Sequence, residues 1–224
     1  MGTGSVDGPL TLAIDASTSV GTVAVLRGRT VIAEGEARMR GERQERLMPA
    51  VADALAAAGV GVGEVARVVC GAGPGSFTSL RIAASITKGV AYGGGCELCA
   101  VGSLLLLGAA AGAAVPLRPG RYLAAIDAMR GEHFAVEISV DEWIEQRSPV
   151  ALIATARLNG EAERRGLTTL GPGLEVDARP HARAAARVAS PSAVELATWE
   201  PAYGRLAEAQ VKWEAAHGRA LPSV

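Results

Sequence analysis

The chain has 224 residues and a formal net charge of −1, from 22 basic and 23 acidic residues, and 49% of its residues are hydrophobic. This length suits one large domain or two small ones, and the hydrophobic content excludes disorder throughout. The charge balance excludes a global basic field, so the chain alone is not expected to bind nucleic acid tightly.

The cysteines and the chain start predict a cytoplasmic protein. Three cysteines and no secretory signal in residues 1–9 fit a reducing compartment. Cys96 and Cys99 have C-x-x-C spacing but fall on a predicted strand, where residues three apart face opposite sides, so we interpret them as plain cysteines. The apolar run 101–117 is short for a membrane span and predicts a buried helix from about Ser103.

The first half of the chain predicts a mixed sheet covered by helices. Three β-rich segments, a first helix that ends before Gly59, a buried strand, a second helix and another strand follow in order: 10–15, 21–26, 30–37, 42–58, 65–70, 76–90 and 97–100. With the helix predicted from about Ser103, the order is βββαβαβα, which is half of a ribonuclease-H-like unit. The sequence therefore predicts an α/β protein.

The second half predicts a smaller, reduced copy of this unit. Segments 121–127 and 133–140 form paired strands around a turn at Arg130-Gly131, and 141–147 interrupts the pattern. Further strands are expected at 150–154 and 168–170, and a helix at 190–199 with Ser190 as N-cap. The predicted organisation is a disordered tail 1–9, an N-terminal lobe 10–118, a reduced C-terminal lobe 119–206 and a tail 207–224.

One loop carries the most specific local signal: Gly73, Pro74, Gly75, Ser76, Phe77 and Thr78. It follows a strand and opens a helix, where free backbone N–H groups can bind anions. It is not a Walker loop and does not match G-x-G-x-x-G, so a phosphate cradle and a plain tight turn both remain open.

The helix after this loop has too little polar surface to face water on all sides. Its charges are Arg81 and Lys88. One stripe contains Leu80 and Ala84, and a second contains Ile82, Ile86 and Gly89, so two faces need cover. One face can meet the chain's own sheet. The other predicts contact with a partner helix or with another part of the chain.

Several motifs in the correct order resemble the bacterial TsaB (YeaZ) family. The loop and its helix resemble G-P-G-S-F-T-G-[LV]-R-I-G, and residues 12–18 resemble the opening L-A-I-D-T-S-T. Residues 45–49, 127–134 and 201–205 resemble E-x-L-L-P, D-A-R-x-G-E-V-Y and P-x-Y-x-R. The resemblance spans about residues 10–205. Ser79 and Ala83 replace motif glycines, and Arg43 replaces a common histidine.

The resemblance implies an actin-like ATPase (ASKHA) fold with a reduced second lobe, and a non-catalytic scaffold role. Members pair with the catalytic subunit TsaD, which carries a metal and adds threonylcarbamoyl to the adenosine beside the anticodon of tRNAs reading codons that start with A. The ATPase TsaE and tRNA join through the complex, and members form homodimers when alone. No cofactor or metal is expected in this chain, and we place partner contacts on residues 73–78, Arg81, Ile82, Ser85, Ile86 and Gly89.

Two further hypotheses stay open. A nucleotide-binding enzyme of the ASKHA type would use Asp15, Ser17 and Thr18 to hold metal and phosphate. The hairpin at Asp127 would supply a second phosphate loop, and residues 170–173 would form part of an adenine pocket. The simpler interpretation is a strand-ending acid in a polar turn. A tRNA-binding patch would use four nearby basic side chains, which otherwise form a solvated edge: Arg38, Arg40, Arg43 and Arg46.

Overall fold

The computed structural model describes residues 8–41, 44–109, 117–189, 191–204 and 216–218. Within these ranges the chain forms two six-stranded mixed sheets and three α-helices. None of the helices in these ranges combines the length and the apolar character that crossing a bilayer requires.

The first sheet has the order β12-β5-β4-β1-β2-β3. Its strands are β1 (Leu10–Asp15), β2 (Val20–Arg27), β3 (Thr30–Arg38), β4 (Arg67–Gly71), β5 (Glu97–Val101) and β12 (Ser192–Ala193). Strands β1 to β3 form an antiparallel meander, and β4 and β5 add to β1 in parallel. The predicted order of strands and α-helices is confirmed from β1 to β5.

The second sheet has the order β11-β10-β6-β7-β8, and β9 also pairs with β7. Its strands are β6 (Gly120–Asp127), β7 (Glu132–Val140), β8 (Ile144–Gln146), β9 (Ala151–Ala154), β10 (Thr168–Gly171) and β11 (Val176–Asp177). The predicted hairpin of β6 and β7 is confirmed, with a turn at Met129, Arg130 and Gly131 that takes positive φ.

The molecule is layered, and strand alternation explains the layers. Leu12 and Ile14 of β1 face a cluster that contains helices α1 (Leu47–Ala57) and α2 (Phe77–Gly94), whereas Ala13 faces the second sheet. The cluster between the sheets holds two 3₁₀ helices, Ser103–Ala109 and Ala182–Arg187. Helix α3 (Thr155–Arg164) covers the outer face of the second sheet through Leu158 and Ala162.

Helix lengths differ from the predictions. Helix α1 begins at Leu47, and residues 44–46 of the predicted helix precede it, whereas residues 42 and 43 lie outside the described residues. The carboxylate of Glu45 accepts the backbone N–H of Met48 in its first turn, at 3.1 Å. Pro49 lies in its first turn, where a missing N–H costs nothing. Helix α2 runs four residues beyond the predicted end at Val90, as far as Gly94, and Gly95 ends it in the left-handed conformation.

Two predicted helices are wrong. The run from Ser103 forms a 3₁₀ helix to Ala109, and residues 110–116 lie outside the described residues. Residues 191–199 form strand β12 and a turn instead of a helix, because Val194 donates its N–H to Leu98 at the sheet edge. Ser190, the predicted N-cap, is not described.

Other elements were not predicted from the sequence. Strand β8 lies within the predicted interruption at 141–147, and α3 occupies 155–164. Helix α3 buries only Leu158 and Ala162, so its apolar pattern is short, and Gly160 weakens its helix propensity.

The predicted lobe boundary at 118/119 falls between the two sheets, although strand β12 returns to the first sheet. The division into two lobes stays a prediction.

Candidate functional site

The loop 73–78 is built against the turn that follows β1. The N–H of Ser76 donates to the carbonyl of Ser17 at 2.8 Å. A Cβ atom on Gly75 would lie 2.3 Å from the same carbonyl oxygen, so only glycine allows this approach. The loop therefore belongs to a fixed junction between β1, β4 and α2.

A buried polar network holds the start of this loop. Ser103 donates its hydroxyl to Asp15 Oδ2 at 2.6 Å and accepts the N–H of Gly73 at 3.0 Å. The other oxygen of Asp15 accepts the N–H and the hydroxyl of Ser17, at 3.0 and 2.7 Å. Asp15 and Ser103 have no exposed surface, so these bonds replace hydration.

Asp15 does not face the cleft that a metal-bound nucleotide would need, which corrects that part of the nucleotide hypothesis. Both of its carboxylate oxygens are occupied by Ser17 and Ser103. Burial raises the pKa of Asp15 above its usual value, and hydrogen bonds from Ser103 and Ser17 offset part of that rise. The simpler interpretation of a strand-ending acid in a polar turn fits this geometry.

Most other residues of the nucleotide hypothesis converge on one cleft of about 840 Å³, although Pro172 is the one residue of 170–173 that lines it. Ser17 and Thr18 come from the β1–β2 turn, Asp127 from the β6–β7 hairpin and Pro172 from the segment after β10. Residues 75–78 also line the cleft. The cleft has a size that suits a small molecule, although Asp127 already accepts the N–H of Met129 at 2.8 Å.

Helix α2 buries one face and exposes the other. The buried face, which packs on the first sheet, consists of Ser79, Leu80, Ala83, Ala84, Thr87, Val90 and Ala91. The opposite face exposes Thr78, Arg81, Ser85 and Gly89, with Tyr92 at 83% exposure. The second face expected from the sequence is thus largely exposed in the described residues, and its contact with a partner stays a prediction.

A shallow groove of about 490 Å³ lies on the exposed face of α2. We call it the docking groove; it is lined by Glu45, Phe77, Thr78, Arg81, Ile82, Ser85 and Ile86. Ile82 and Ile86 are half-buried because they also pack against the core under α1. Of the predicted partner residues after Thr78, four therefore line this groove: Arg81, Ile82, Ser85 and Ile86. The fifth, Gly89, lies on the same exposed face of the helix.

Two loop residues of the predicted surface lie inside the molecule. Gly73 and Pro74 are buried, so they support the groove without lining it. Ser79 and Ala83, which replace motif glycines, are also buried, and Ser79 shares a 3.0 Å hydrogen bond with Ser76. The two replacements thus affect packing within the chain.

Two residues of the site, Tyr203 and Ser103, had no predicted role. The ring of Tyr203 packs on Phe77 with centroids 4.5 Å apart. The P-x-Y motif at 201–203 was the available signal for Tyr203. No local signal marked Ser103, because its partners Asp15 and Gly73 are distant in sequence.

The other predicted features fall as follows. Arg38, Arg40 and Arg46 are exposed, Arg40 lines the cleft, and Arg43 lies outside the described residues.

Burial raises the pKa of the Cys70 thiol to about 12 and that of Cys99 to about 11. Within the described ranges no three His, Cys, Asp or Glu side chains converge as metal ligands do.

The paired mixed sheets, with a cleft between the β1–β2 turn and the β6–β7 hairpin, define an actin-like ATPase fold, as predicted. The structure described as "YeaZ from Pseudomonas aeruginosa" superposes with a TM-score of 0.68 and 25% identity. The match covers 87% of this chain and 99% of that one.

A family model described as "TsaD: tRNA N6-adenosine threonylcarbamoyltransferase" matches residues 40–179. The chain belongs to this family. The predicted resemblance to its TsaB (YeaZ) members is confirmed. The TsaB proteins of Escherichia coli and Haemophilus influenzae are described as tRNA threonylcarbamoyladenosine biosynthesis proteins. They are 39% and 35% identical, over 58% and 57% of this chain and 55% and 52% of theirs. The chain spans about half the length of the curated relatives it matches.

Proposed function

We propose that this protein is a non-catalytic scaffold subunit of the complex that makes threonylcarbamoyladenosine in tRNA, and that it binds and stabilises the catalytic subunit TsaD. The modified base is the adenosine beside the anticodon in tRNAs reading codons that start with A. The names of the TsaB relatives and of the matching family support this reaction. The assembly would work in the cytoplasm.

The observation that carries the proposal is the uncovered face of α2. From Phe77 to Tyr92 this face combines aromatic side chains, Ser85 and Gly89 with two charges, those of Arg81 and the half-buried Lys88. Exposed aromatic and small residues beside an apolar groove are typical of an interface core, because a partner helix can approach closely and bury the rings.

TsaD is the partner that this face fits best. It belongs to the family whose model matches this chain, so it is expected to present an equivalent helix after its own first sheet. Two such helices can pack face to face with pseudo-twofold symmetry, as related subunits commonly do. For the same reason we expect two copies of this chain to pair through α2 when TsaD is absent.

We assign no metal or cofactor to this chain. TsaD would carry the metal, TsaE would hydrolyse ATP, and tRNA would be bound by the assembled complex. The chain would contribute the fixed α2 surface, whose support by Asp15 and Ser103 needs no ligand.

Gly89→Arg tests the docking surface with little effect on folding. A Cβ atom on Gly89 would meet nothing within 4 Å, so a larger side chain fits the free protein. At a close helix contact it would block approach, and we expect pairing with TsaD to weaken by more than tenfold, or about 1.4 kcal/mol. Isothermal titration calorimetry would measure the Kd.

Gly160→Arg is the matched control. Gly160 is an exposed glycine of α3 whose Cβ would also meet nothing within 4 Å. This variant adds the same charge on another helix and should pair like the wild type. Unchanged pairing of Gly89→Arg would show that the docking surface is wrongly placed.

A second function, nucleotide binding in the 840 Å³ cleft, is favoured by one observation. Ser17, Thr18 and Asp127 reach this cleft together although they lie far apart in sequence. Calorimetry of the isolated protein with MgATP, compared with Thr18→Ala and Asp127→Asn, tests it. Tight, stoichiometric binding that both variants abolish would support a nucleotide site; heats no larger than those of dilution would remove this alternative.

A further inference from the structure

We infer that Tyr203 is a positioning residue for the docking groove: it holds the Phe77 ring in the orientation that a partner meets. The inference rests on the proposed function and assigns a role to residues 201–204, which we call the strap. The proposed docking surface itself does not include the strap.

The strap is fixed by backbone contacts to the loop before α2. The N–H of Ala202 donates to the carbonyl of Ala72 at 2.8 Å. Gly73 has φ +86°, and a Cβ atom there would lie 2.4 Å from the carbonyl oxygen of Ala202. The strap and the loop thus approach within backbone contact, which places the side chain of Tyr203 in the lining of the cleft, on the other side of Phe77 from the docking groove.

Tyr203 reaches Phe77, and Phe77 reaches Arg81. The rings of Tyr203 and Phe77 have centroids 4.5 Å apart and planes tilted by 48°, a favourable aromatic geometry. The guanidinium carbon of Arg81 lies 5.5 Å from the Phe77 ring centroid, within cation–π range. Phe77 is 37% exposed, so without Tyr203 its ring would have one side free to rotate into solvent.

The next residue ties the strap to the second sheet. Gly204 has φ +74°, and a Cβ atom there would lie 2.6 Å from the Phe134 ring and 2.7 Å from Pro74 Cβ. Phe134 belongs to β7 and Pro74 to the loop before α2. The residues on both sides of Tyr203 are therefore fixed: Ala202 by the loop before α2 and Gly204 by the second sheet. Through Tyr203, Phe77 is held in place by the second sheet as well as by its own helix.

Phe77 and Thr78 also form a wall common to the cleft and the docking groove. A partner that packs on the groove therefore meets a ring whose other side is set by Tyr203. Ordering this ring before association lowers the entropy lost on binding, which is the physical benefit of the strap.

Titration of the full-length protein with TsaD tests the inference. Removing one aromatic pair should raise the Kd of Tyr203→Ala about three- to tenfold. Tyr203→Phe keeps the ring and should restore wild-type affinity. Trp143→Ala is the matched control, because Trp143 is a partly exposed ring beside an arginine, Arg29, at 4.3 Å and distant from α2 in the chain.

A double variant tests whether Tyr203 acts through Phe77. If Tyr203 acts through Phe77, Tyr203→Ala with Phe77→Ala should bind TsaD no more weakly than Phe77→Ala alone. If the two losses are instead additive, or if Tyr203→Ala binds like the wild type while Gly89→Arg does not, the inference is overturned and the docking surface stands. Wild-type binding by Gly89→Arg would instead overturn the proposed function.

Discussion

The hydroxyl of Ser103 joins the carboxylate of Asp15, at 2.6 Å, to the backbone N–H of Gly73, at 3.0 Å. The acid at the end of β1 thereby supports the loop that opens α2. Because the pair is fully buried, its hydrogen bonds have no water to replace them. The network makes the position of α2 depend on β1 and on the segment after β5.

Asp15→Asn and Ser103→Ala should each lower the free energy of unfolding, by about 1–3 kcal/mol, since each leaves a buried partner without its hydrogen bond. The double variant should lose less than the sum, with a coupling of at least about 0.5 kcal/mol. Urea denaturation at pH 7 measures all three. Additive losses would mean that the two residues act independently.

His181 should make the protein less stable as the pH falls below neutral. Burial, and then the charge of Arg183, lower the pKa of His181 from 6.5 to about 4, while Glu36 acts in the opposite direction. The unfolded chain binds a proton below pH 6.5 and the folded chain does not, so stability is lost as the pH falls from 6.5 towards 4. Between pH 7 and pH 5 the loss should be on the order of 2 kcal/mol.

Denaturation midpoints of the wild type and His181→Asn at the two pH values check this. The asparagine oxygen can accept the N–H of Arg183 in place of Nδ1, which now accepts it at 3.2 Å. The variant should therefore fold and show a pH dependence smaller by that amount. An equal pH dependence in both proteins would assign the effect to other groups.

Two glycines of the same region should respond in opposite directions to alanine. Gly75→Ala places a Cβ 2.3 Å from the carbonyl oxygen of Ser17 and should destabilise the protein by about 2 kcal/mol or more. Gly89→Ala fills open space on a helix and should stabilise it by about 0.5–1 kcal/mol. Thermal unfolding compares them. A stabilising Gly75→Ala would contradict the loop geometry.

Arg40→Glu should weaken tRNA binding by the assembled complex if the predicted basic patch contacts RNA phosphates. Arg40 is exposed and lines the cleft. The loss should shrink as salt concentration rises, because phosphate contacts release counterions. Arg157→Glu, an exposed position on α3, is the control of equal charge. Equal affinity of both variants for tRNA would remove Arg40 from the patch.

Long periodic segments were predictable because their pattern is local. The meander β1 to β3, both central strands β4 and β5, and helix α2 repeat apolar residues at the spacing of their structure. The prediction failed where tertiary contacts decided the outcome. At 191–199 an N-cap signal favoured a helix, but pairing of Ser192 and Ala193 with β5 gave a strand.

The sequence by itself determined the family, the order of the first unit and the second stripe of α2, since Ile82, Ile86 and Gly89 recur at helical spacing whatever surrounds them. It left open whether another part of the chain covers that stripe. Only the tertiary structure decided that Asp15 is buried and that Tyr203 reaches Phe77. The physical reason is sequence distance. Asp15 meets Ser103 across 88 residues, and Phe77 meets Tyr203 only because two sheets bring the strap back to α2.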